Sequence, residues 1–427
     1  MEVFGRVFNL LTASRLKTPL LLLLGGLLTQ QAIASSVKLG LVHPTTGRYQ
    51  QQGFDMAQGA LLAIEEINAQ GGILGQPVEL LTENTAGKVE TGVAATNSLI
   101  KQGADVVFGA ASSDVAIAAG KEAARHDKLF FAALSYANET TGSAGHRHMF
   151  REPASAWMTA KALSFYLNQQ LQDRRVFFLT ADYSWGHSME ESIRRFTNTG
   201  DVQTHPAAQV PYPRPRHSEI ENALIQADES GADVLMLIQF GDDMVTALEM
   251  ATEMGLKERM EIIVPSLTQN MAANAGASLM EGIVGTVPWT WQVSFEFGYQ
   301  RGQDFVNAYV EKYDQYPDSP AASAYSIVYQ IKEAAENARG LNSNDLIDAL
   351  EGHKYSLLKE PQQWRAFDHQ NIQSVYVVRC KSWDDVMKSP LRSDYFEVML
   401  SLPGSVSART EDEWKTDRME AGQPTRL

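Results

Sequence analysis

The sequence has very little cysteine and an excess of one sign of charge. Cys380 is the single cysteine among 427 residues, which excludes an intramolecular disulfide and a multi-cysteine metal site. The 51 acidic residues outnumber the 36 basic ones, giving a formal net charge of −15. Such a chain repels phosphate backbones and anionic lipid surfaces, so we expect no nucleic-acid partner.

The usual sequence marks of catalysis are also missing. There is no GxSxG motif, no P-loop and no GxGxxG following a strand. The glycines from Gly71 to Gly75 follow a predicted helix and therefore indicate a turn. His146, His148 and Glu152 offer a weak alternative as metal ligands, but a polar loop explains them better. We expect no enzyme, no cofactor and no metal.

The N-terminus has the form of an export signal. Basic residues come first, 18–28 is an apolar run, and Ala32-Ile33-Ala34 has the small-x-small pattern of a cleavage site. The run is well short of the roughly 20 residues that span a bilayer, and no cysteine follows it to accept a lipid anchor. We predict a signal peptide over 1–34, cleaved after Ala34, and a periplasmic location.

The remaining length favours two lobes. A chain of 427 residues without its first 34 is too long for one hydrophobic core and suits two domains of ordinary size. With 44% hydrophobic and 20% charged residues, its composition is typical of a globular protein.

Strand and helix patterns alternate through the first part of the chain. A strand is predicted at 37–42 and a helix at 56–69, which Gly71 and Gly72 end. The following strands and helices are predicted at 78–82, 90–102, 105–109, 114–126 and 129–133. This alternation indicates parallel strands joined by helices, and hence a doubly wound α/β lobe.

The same alternation begins again after Pro153 and predicts a second lobe. Its strands and helices are predicted at 157–170, 175–180, 188–199, 219–229, 234–239, 243–254, 262–264 and 283–286. Prolines 211, 213 and 215 predict a loop before the helix at 219–229. Two such lobes place the carboxyl ends of their strands around a shared crevice, where ligands bind.

Four segments give the chain a family resemblance: TTGRYQQQG, GALLAIEEINAQGGILG, VVFGAASSDVA and ADYSWGHS. From 37 to 378 the sequence resembles the leucine/isoleucine/valine-binding and amide- or urea-binding proteins of the type I periplasmic solute-binding family of ABC transporters. The resemblance implies two lobes joined by three crossing strands, with hinges near 151–154, 287–290 and 372–374.

The resemblance also implies how the chain is shared between the lobes. The first lobe is predicted to hold 35–153 and 288–372, and the second 154–287 and 373–427. Residues beyond 383 exceed what the family usually carries. We interpret this tail as a wrap on the lobe surface or a partly ordered terminus.

Ser112 and Ser113 lie between a strand ending at Gly109 and the start of a helix. Their hydroxyls and the free N–H groups of the helix start form a site for an anion, which the helix dipole favours. The resemblance implies that they hold the carboxylate of the ligand. Helix capping is the alternative.

Further candidates follow the other strands. Leu134, Ser135 and Tyr136 match positions that bind the polar head of the ligand in the family, with core packing as the alternative for Tyr136. Tyr49 and Gln52, in the first loop, are candidates at the rim, although loop polarity alone also explains them.

In the second lobe, Trp185 and Phe240 match positions where the family places aromatic rings over the ligand. Two rings meeting across a closing cleft would bury apolar surface and exclude water. Ordinary packing within the lobe is the alternative for each.

Ser266 departs from the family pattern. Amino-acid binders of the family place an acid at this position, where it pairs with the ammonium of the ligand, and its loss leaves that charge unpaired at a cost of several kcal/mol. Asp242 or Asp243 is an alternative source of this acid, but a helix N-cap role is favoured for that pair. We therefore expect a carboxylate, an aromatic acid or a neutral amide as ligand, and not a simple α-amino acid.

The sequence thus predicts a monomeric substrate-binding component of an ABC importer, with a permease and an ATPase as partners. The alternative is a ligand sensor of the same fold that feeds a membrane kinase, a chemoreceptor or another regulator. An exported hydrolase would need a nucleophile and base that the sequence does not offer.

Overall fold

The structure is a computed structural model that describes residues 36–170 and 174–427. The predicted signal peptide, 1–34, lies outside the described residues. Within the described part of the chain, no helix is both long and apolar enough to cross a membrane.

The first lobe is built on a parallel sheet with strand order β2-β1-β3-β4-β5. Its strands are β1 (Val37–His43), β2 (Val78–Asn84), β3 (Val106–Gly109), β4 (Phe130–Ala132) and β5 (Met149–Arg151). The connecting helices are α1 (Gln50–Ala69), α2 (Val89–Lys101) and α3 (Ser113–Arg125). Strand β3 is buried along its whole length, as a parallel strand covered by helices on both faces should be.

The second lobe repeats this plan. Its parallel strands are β6 (Val176–Asp182), β7 (Ala207–Pro211), β8 (Val234–Ile238), β9 (Glu261–Val264) and β10 (Val284–Val287). Its helices are α4 (Ala156–Gln170), α5 (Ser184–Thr197), α6 (His217–Glu229), α7 (Asp242–Glu253), α8 (Gln269–Ala275) and α9 (Ala277–Met280).

Strand β7 corrects one sequence prediction. The proline run predicted only a loop before α6, yet β7 pairs with β6 and reaches Pro211. Because β7 is the last strand of its sheet, the missing N–H of a proline at its end costs little pairing.

The chain then returns to the first lobe. It forms α10 (Trp291–Glu296), α11 (Gln300–Tyr313), α12 (Ser319–Ala338) and α13 (Ser343–Leu350), followed by the short antiparallel strands β11 (Lys354–Tyr355), β12 (Gln362–Trp364) and β13 (Asn371–Ile372). Helix α12 packs closely along α1 because Gly59 has no side chain. A Cβ there would lie 2.0 Å from the carbonyl oxygen of Ala321.

The last elements extend the sheet of the second lobe. They are β14 (Val375–Cys380), α14 (Trp383–Lys388), β15 (Phe396–Leu402), α15 (Gly404–Ser407) and α16 (Glu411–Glu420). Strand β14 pairs antiparallel with β10, and β15 pairs antiparallel with β14, giving the order β15-β14-β10-β9-β8-β6-β7. The predicted fold of two α/β lobes is confirmed, with two antiparallel pairings at one edge of an otherwise parallel sheet.

Three segments cross between the lobes: from β5 to α4, from β10 to α10, and from β13 to β14. The C-terminal tail needs a correction, because we assigned all of 373–427 to the second lobe. Helix α16 instead packs on the first lobe, where the indole N–H of Trp414 donates to the carbonyl oxygen of Thr141 at 2.8 Å. The tail is therefore a fourth crossing.

Candidate ligand-binding cleft

The centre of the cleft is a meeting of aromatic rings from both lobes. Tyr49 and Tyr136 come from loops of the first lobe, whereas Trp185 comes from the start of α5 and Phe240 from the loop after β8 in the second. The ring centre of Phe240 lies 5.9 Å from that of Tyr49, 6.2 Å from Tyr136 and 5.8 Å from Trp185. All four side chains are buried. The structure therefore brings together four residues that the sequence singled out separately.

Two further rings, which the sequence did not single out, complete this group. Tyr183 stacks on Tyr212 with ring centres 3.7 Å apart, and Tyr212 lies 6.3 Å from Tyr49. Tyr183 lies in the ADYSWGHS segment, and Tyr212 directly follows β7 between Pro211 and Pro213. We call Tyr49, Tyr136, Tyr183, Trp185, Tyr212 and Phe240 the aromatic cluster.

Burial keeps the phenols of the aromatic cluster neutral. It raises the pKa of Tyr49 and of Tyr183 well above the ordinary value, and neighbouring phenols add to the rise. Burial also raises the pKa of Tyr212, and the Ser112 hydroxyl beside it opposes that rise. At neutral pH the cleft therefore offers hydroxyl donors and acceptors among apolar ring faces.

Ser112 and Ser113 lie at the start of α3, as predicted. Ser112 occupies the N-cap position, but its hydroxyl makes no capping bond to the helix. The Ser113 hydroxyl accepts a hydrogen bond from the backbone N–H of Ala137 at 3.1 Å. Ser113 thus holds the neighbouring loop, whereas Ser112 lies beside Tyr212 of the aromatic cluster.

The other predicted site residues lie around this centre. Ser135 is fully buried and shares a 2.7 Å hydrogen bond with the Thr140 hydroxyl, so it fixes its own loop. Gln52 is buried in α1, and its Oε1 has no hydrogen-bond partner among the described residues. Ser266 is buried in the loop that follows β9. Leu134 lies on the hinge side of the cleft.

A narrow cavity opens on that hinge side, with room for about one water molecule, roughly 10 Å³. Leu134 and Tyr136 line it together with Glu152, Trp289 and Lys359. Burial raises the pKa of Glu152, which the charge of Lys359 opposes, and burial lowers the pKa of Lys359. The indole N–H of Trp289 has no partner among the described residues. This polar chamber was not predicted.

Hydrogen bonds of Lys359 and Gln373 also link the three crossing segments. Its ammonium donates to the carbonyl oxygen of Pro288 at 2.6 Å, in the second crossing, and to the side chain of Gln373, in the third. The amide of Gln373 in turn donates to the carbonyl oxygen of Glu152, in the first. One buried side-chain pair therefore connects all three parts of the hinge.

At the mouth of the cleft, Arg48 of the first lobe forms an ion pair with Asp243 of α7 at 3.0 Å. Burial raises the pKa of Asp243, and Arg48 opposes the rise. Our favoured interpretation of Asp243 as an N-cap is wrong, because the N-cap of α7 is Gly241. Its carboxylate serves the contact between the lobes.

One flank of the cleft carries two buried carboxyl groups of the first lobe. Asp318 accepts hydrogen bonds from the backbone N–H groups of Gln269 and Asn270 in α8, both at 2.9 Å, and of Ser319 at 2.6 Å. The Asn270 side chain donates to Asp55. Burial raises the pKa of both carboxyls, and Asp318 adds to the rise at Asp55. We call this contact the acidic flank.

The weak metal alternative receives no geometric support. His148 bonds the Asp127 carboxylate at 2.8 Å, whereas Glu152 lines the hinge cavity. Among the described residues, no three or more side chains of histidine, cysteine, aspartate or glutamate are grouped to hold a metal ion.

Two α/β lobes that meet around an aromatic cleft and share a three-segment hinge define the class of two-lobed ligand-binding proteins. Residues 36–385 match the sequence model of the family described as periplasmic binding protein. Since this match spans most of the chain, the chain belongs to the periplasmic binding protein family, and the resemblance drawn from the sequence is confirmed.

Curated relatives carry matching names at low identity. The Leu/Ile/Val-binding protein BraC3 of Rhizobium johnstonii is 27% identical over 168 residues, which cover 39% of this chain and 46% of that protein. The Leu/Ile/Val-binding protein homolog 8 of Brucella abortus is 25% identical over 336 residues, covering 75% of this chain and 81% of that protein.

Solved structures show the same fold. A periplasmic binding protein of Burkholderia mallei superposes with a TM-score of 0.78 at 24% identity, covering 88% of this chain and 97% of that one. A solute-binding protein of an ABC transporter from Rhodopseudomonas palustris, solved with 3,4-dihydroxybenzoic acid, has a TM-score of 0.75 at 17% identity, covering 86% and 98%.

Proposed function

We propose that the chain is the substrate-binding component of an ABC importer, exported after cleavage at Ala34. It captures a small organic solute between its lobes and presents the closed form to a permease and its ATPase. The observation that carries this proposal is the position of Phe240, whose ring contacts Tyr49 and Tyr136 of the opposite lobe. Both lobes contribute rings to the aromatic cluster, so a ligand that contacts this cluster from both sides would stabilise the closed form.

The proposed mechanism is a shift of population between open and closed forms. The solute first meets the loops of the first lobe, including Ser112 and Tyr136. Contacts with Trp185 and Phe240 are added only when the second lobe swings in. Because those contacts exist only in the closed form, the ligand stabilises closure by its difference in affinity for the two forms.

We propose a carboxylate, an aromatic acid or a neutral amide as the ligand. The aromatic cluster offers ring faces and neutral hydroxyls, and the start of α3 adds N–H groups that favour an anionic group. Asp243 and Glu152 already face Arg48 and Lys359. The carboxyls of Asp55 and Asp318 are engaged by the start of α8, and Ser266 supplies no charge for an ammonium. The Rhodopseudomonas palustris relative solved with a dihydroxybenzoic acid is consistent with this class.

The test is a thermal-shift screen of the mature protein followed by calorimetric titration. Benzoate, hydroxybenzoates, aliphatic acids, amides and urea are compared with leucine, isoleucine and valine. A true ligand at 100 times its Kd adds about 2.7 kcal/mol to stability, and we expect such a shift only among the acids or amides.

Micromolar binding of leucine, isoleucine or valine that is lost in Ser266→Ala would overturn the ligand assignment. The importer role has a separate test, in which deletion of the gene should abolish uptake of the identified ligand. Normal uptake together with a lost transcriptional response to the ligand would establish the sensor alternative in its place.

A further inference from the structure

The C-terminal tail leaves the second lobe and is anchored on the first. Strand β15 pairs with β14 up to Leu402, and residues 403–410 then lead to α16. The match to the periplasmic binding protein family ends at residue 385. The family match therefore does not cover this segment.

The anchor on the first lobe is specific and buried. Trp414 is fully buried, lies 5.4 Å from the ring of Phe367, and donates its indole N–H to the carbonyl oxygen of Thr141. Arg418 is buried and donates to the carbonyl oxygens of Gly142 at 2.6 Å and Gly145 at 3.0 Å. An isolated helix as short as α16 is marginal in water, so these contacts with the first lobe stabilise it.

The loop that α16 holds, residues 138–145, follows directly after Tyr136 and Ala137 and also touches the second lobe. The backbone N–H of Asn138 donates to the Ser188 hydroxyl of α5 at 3.0 Å, and its side chain donates to the Ser192 hydroxyl at 3.0 Å. The backbone N–H of Trp157, in α4, donates to the Asn138 side chain at 2.9 Å. This loop therefore lies between the lobes, beside the aromatic cluster.

The segment before α16 connects both sides of this loop. Arg409 donates to the carbonyl oxygen of Asn138 at 3.0 Å, and its guanidinium lies 5.6 Å from the ring of Trp157 in the second lobe. The carbonyl oxygen of Arg409 accepts from Arg365 of the first lobe at 2.6 Å. At Gly404 the chain passes so close to Gln373 of the hinge that a Cβ would lie 2.4 Å from its backbone nitrogen. The segment thus runs alongside the hinge.

We propose that residues 403–420 act as a strap that limits how far the two lobes separate. Opening draws α5 away from the loop 138–145, while α16 stays fixed to that loop and β15 stays fixed in the second sheet. The short segment 403–410 must span the growing distance. The strap therefore restricts the open form and favours the arrangement in which the lobes are in contact.

Inter-lobe distance in the absence of ligand tests this proposal independently of the proposed function. Lys101 on α2 and Glu221 on α6 are exposed, so spin labels at Lys101→Cys and Glu221→Cys report the distance between the lobes. The native Cys380 is buried and should not take up label. A chain ending at Leu402 should show a population at longer distance than the full chain. Lys415→Ala, on the same helix but outside the anchor, should match the full chain.

Two further measurements keep the proposal open to refutation if the truncated chain fails to fold. Arg418→Gln removes the charged hydrogen bonds to Gly142 and Gly145 while Trp414 stays in place. It should also produce a population at longer distance between the two spin labels. A protease site inserted between Ser405 and Val406, both exposed, cuts the strap and leaves α16 docked. Cleavage should reproduce the effect of truncation.

The ligand affinity follows from the same equilibrium. If removal of the strap lowers the fraction of binding-competent molecules tenfold, the apparent Kd rises about tenfold. Unchanged distance distributions in the Arg418→Gln and cleaved proteins would overturn the proposal. That result combined with faster hydrogen exchange in 138–145 would assign α16 a purely local structural role.

Discussion

The two flanks of the cleft hold the lobes together by different chemistry. On the acidic flank, Asp55 and Asp318 of the first lobe bond the start of α8. On the opposite flank, Asn138 bonds the hydroxyls of Ser188 and Ser192 in α5. The first contact is made by buried carboxyls whose pKa burial raises. The second is made by amide and hydroxyl groups together with the Glu139 carboxylate, which accepts from Ser188. The comparison shows that the lobes are held by carboxyls with a raised pKa on the first of these flanks and mainly by hydroxyl and amide groups on the second.

The acidic flank gives the largest expected effect. Asp318→Ala removes the acceptor of three backbone N–H groups at the starts of α8 and α12. Hydrogen bonds to a charged group are worth about 1.5–3 kcal/mol each, so we expect the free energy of unfolding to fall by about 3 kcal/mol or more. Urea denaturation measures it.

Asp304→Asn, an exposed change on neighbouring α11, is the matched control and should lie within about 0.5 kcal/mol of the native protein. An Asp318→Ala protein as stable as this control would show that the carboxylate contributes little to the contact between the lobes, and the contrast between the flanks would disappear.

A pH titration sharpens the comparison. Burial raises the pKa of Asp55 and Asp318 when the lobes are in contact, whereas separated lobes return these groups toward the ordinary value. The protonated carboxyls therefore favour contact between the lobes at low pH. This stabilisation of the contact is lost as the pH rises through the raised pKa values of Asp55 and Asp318. Ligand affinity should weaken with rising pH, by at most about tenfold per unit for one proton.

The phenols of Tyr136 and Tyr309 also face these carboxyls, and burial raises their pKa further above neutrality. They therefore do not titrate in this range. Asp55→Asn keeps the polar contact with Asn270 and should reduce the pH dependence, with Asp318 left to titrate, as calorimetry in two buffers would show through smaller proton uptake. An unchanged profile in this variant would place the titrating group elsewhere.

The flank of Asn138 should give a smaller effect. Ser188→Ala removes the acceptor for the Asn138 N–H and the donor to the Glu139 carboxylate. We expect a loss of about 2 kcal/mol in the free energy of unfolding, because a hydrogen bond to a charged group is worth about 1.5–3 kcal/mol. Urea denaturation measures the loss, and a loss as large as that of Asp318→Ala would break the comparison.

The smallest effect is expected at the mouth of the cleft. The ion pair of Arg48 and Asp243 is partly open to solvent on the arginine side, and pairs of this kind contribute at most about 1 kcal/mol. Arg48→Ala should weaken ligand binding by less than tenfold, and high salt should remove most of the difference. A larger, salt-independent loss would indicate direct contact of Arg48 with the ligand.

The sequence predicted most of the fold because each buried strand and helix has a strong apolar pattern. It misplaced the start of α1, which begins at Gln50 and not at 56. Gln52 and Asp55 are polar yet buried, because this end of α1 lies at the cleft and Asp55 bonds the other lobe. Polar residues at a contact between lobes break the apolar periodicity on which the prediction depends.

The candidate site was predictable where it follows strand ends. Tyr49, Tyr136, Trp185 and Phe240 all lie in loops or helix starts next to a strand, and such positions meet at one edge of a parallel sheet. Their roles toward a ligand remain predictions. Lys359 and Asp318 gave no local signal, because their partners lie in distant parts of the chain and only the fold brings them together.

The hydrogen bonds of Lys359 have a consequence for how the molecule moves. The Lys359 ammonium links two of the crossing segments, and the Gln373 amide extends the link to the first. We therefore expect these segments to resist independent twisting, so that the two lobes turn together as rigid bodies.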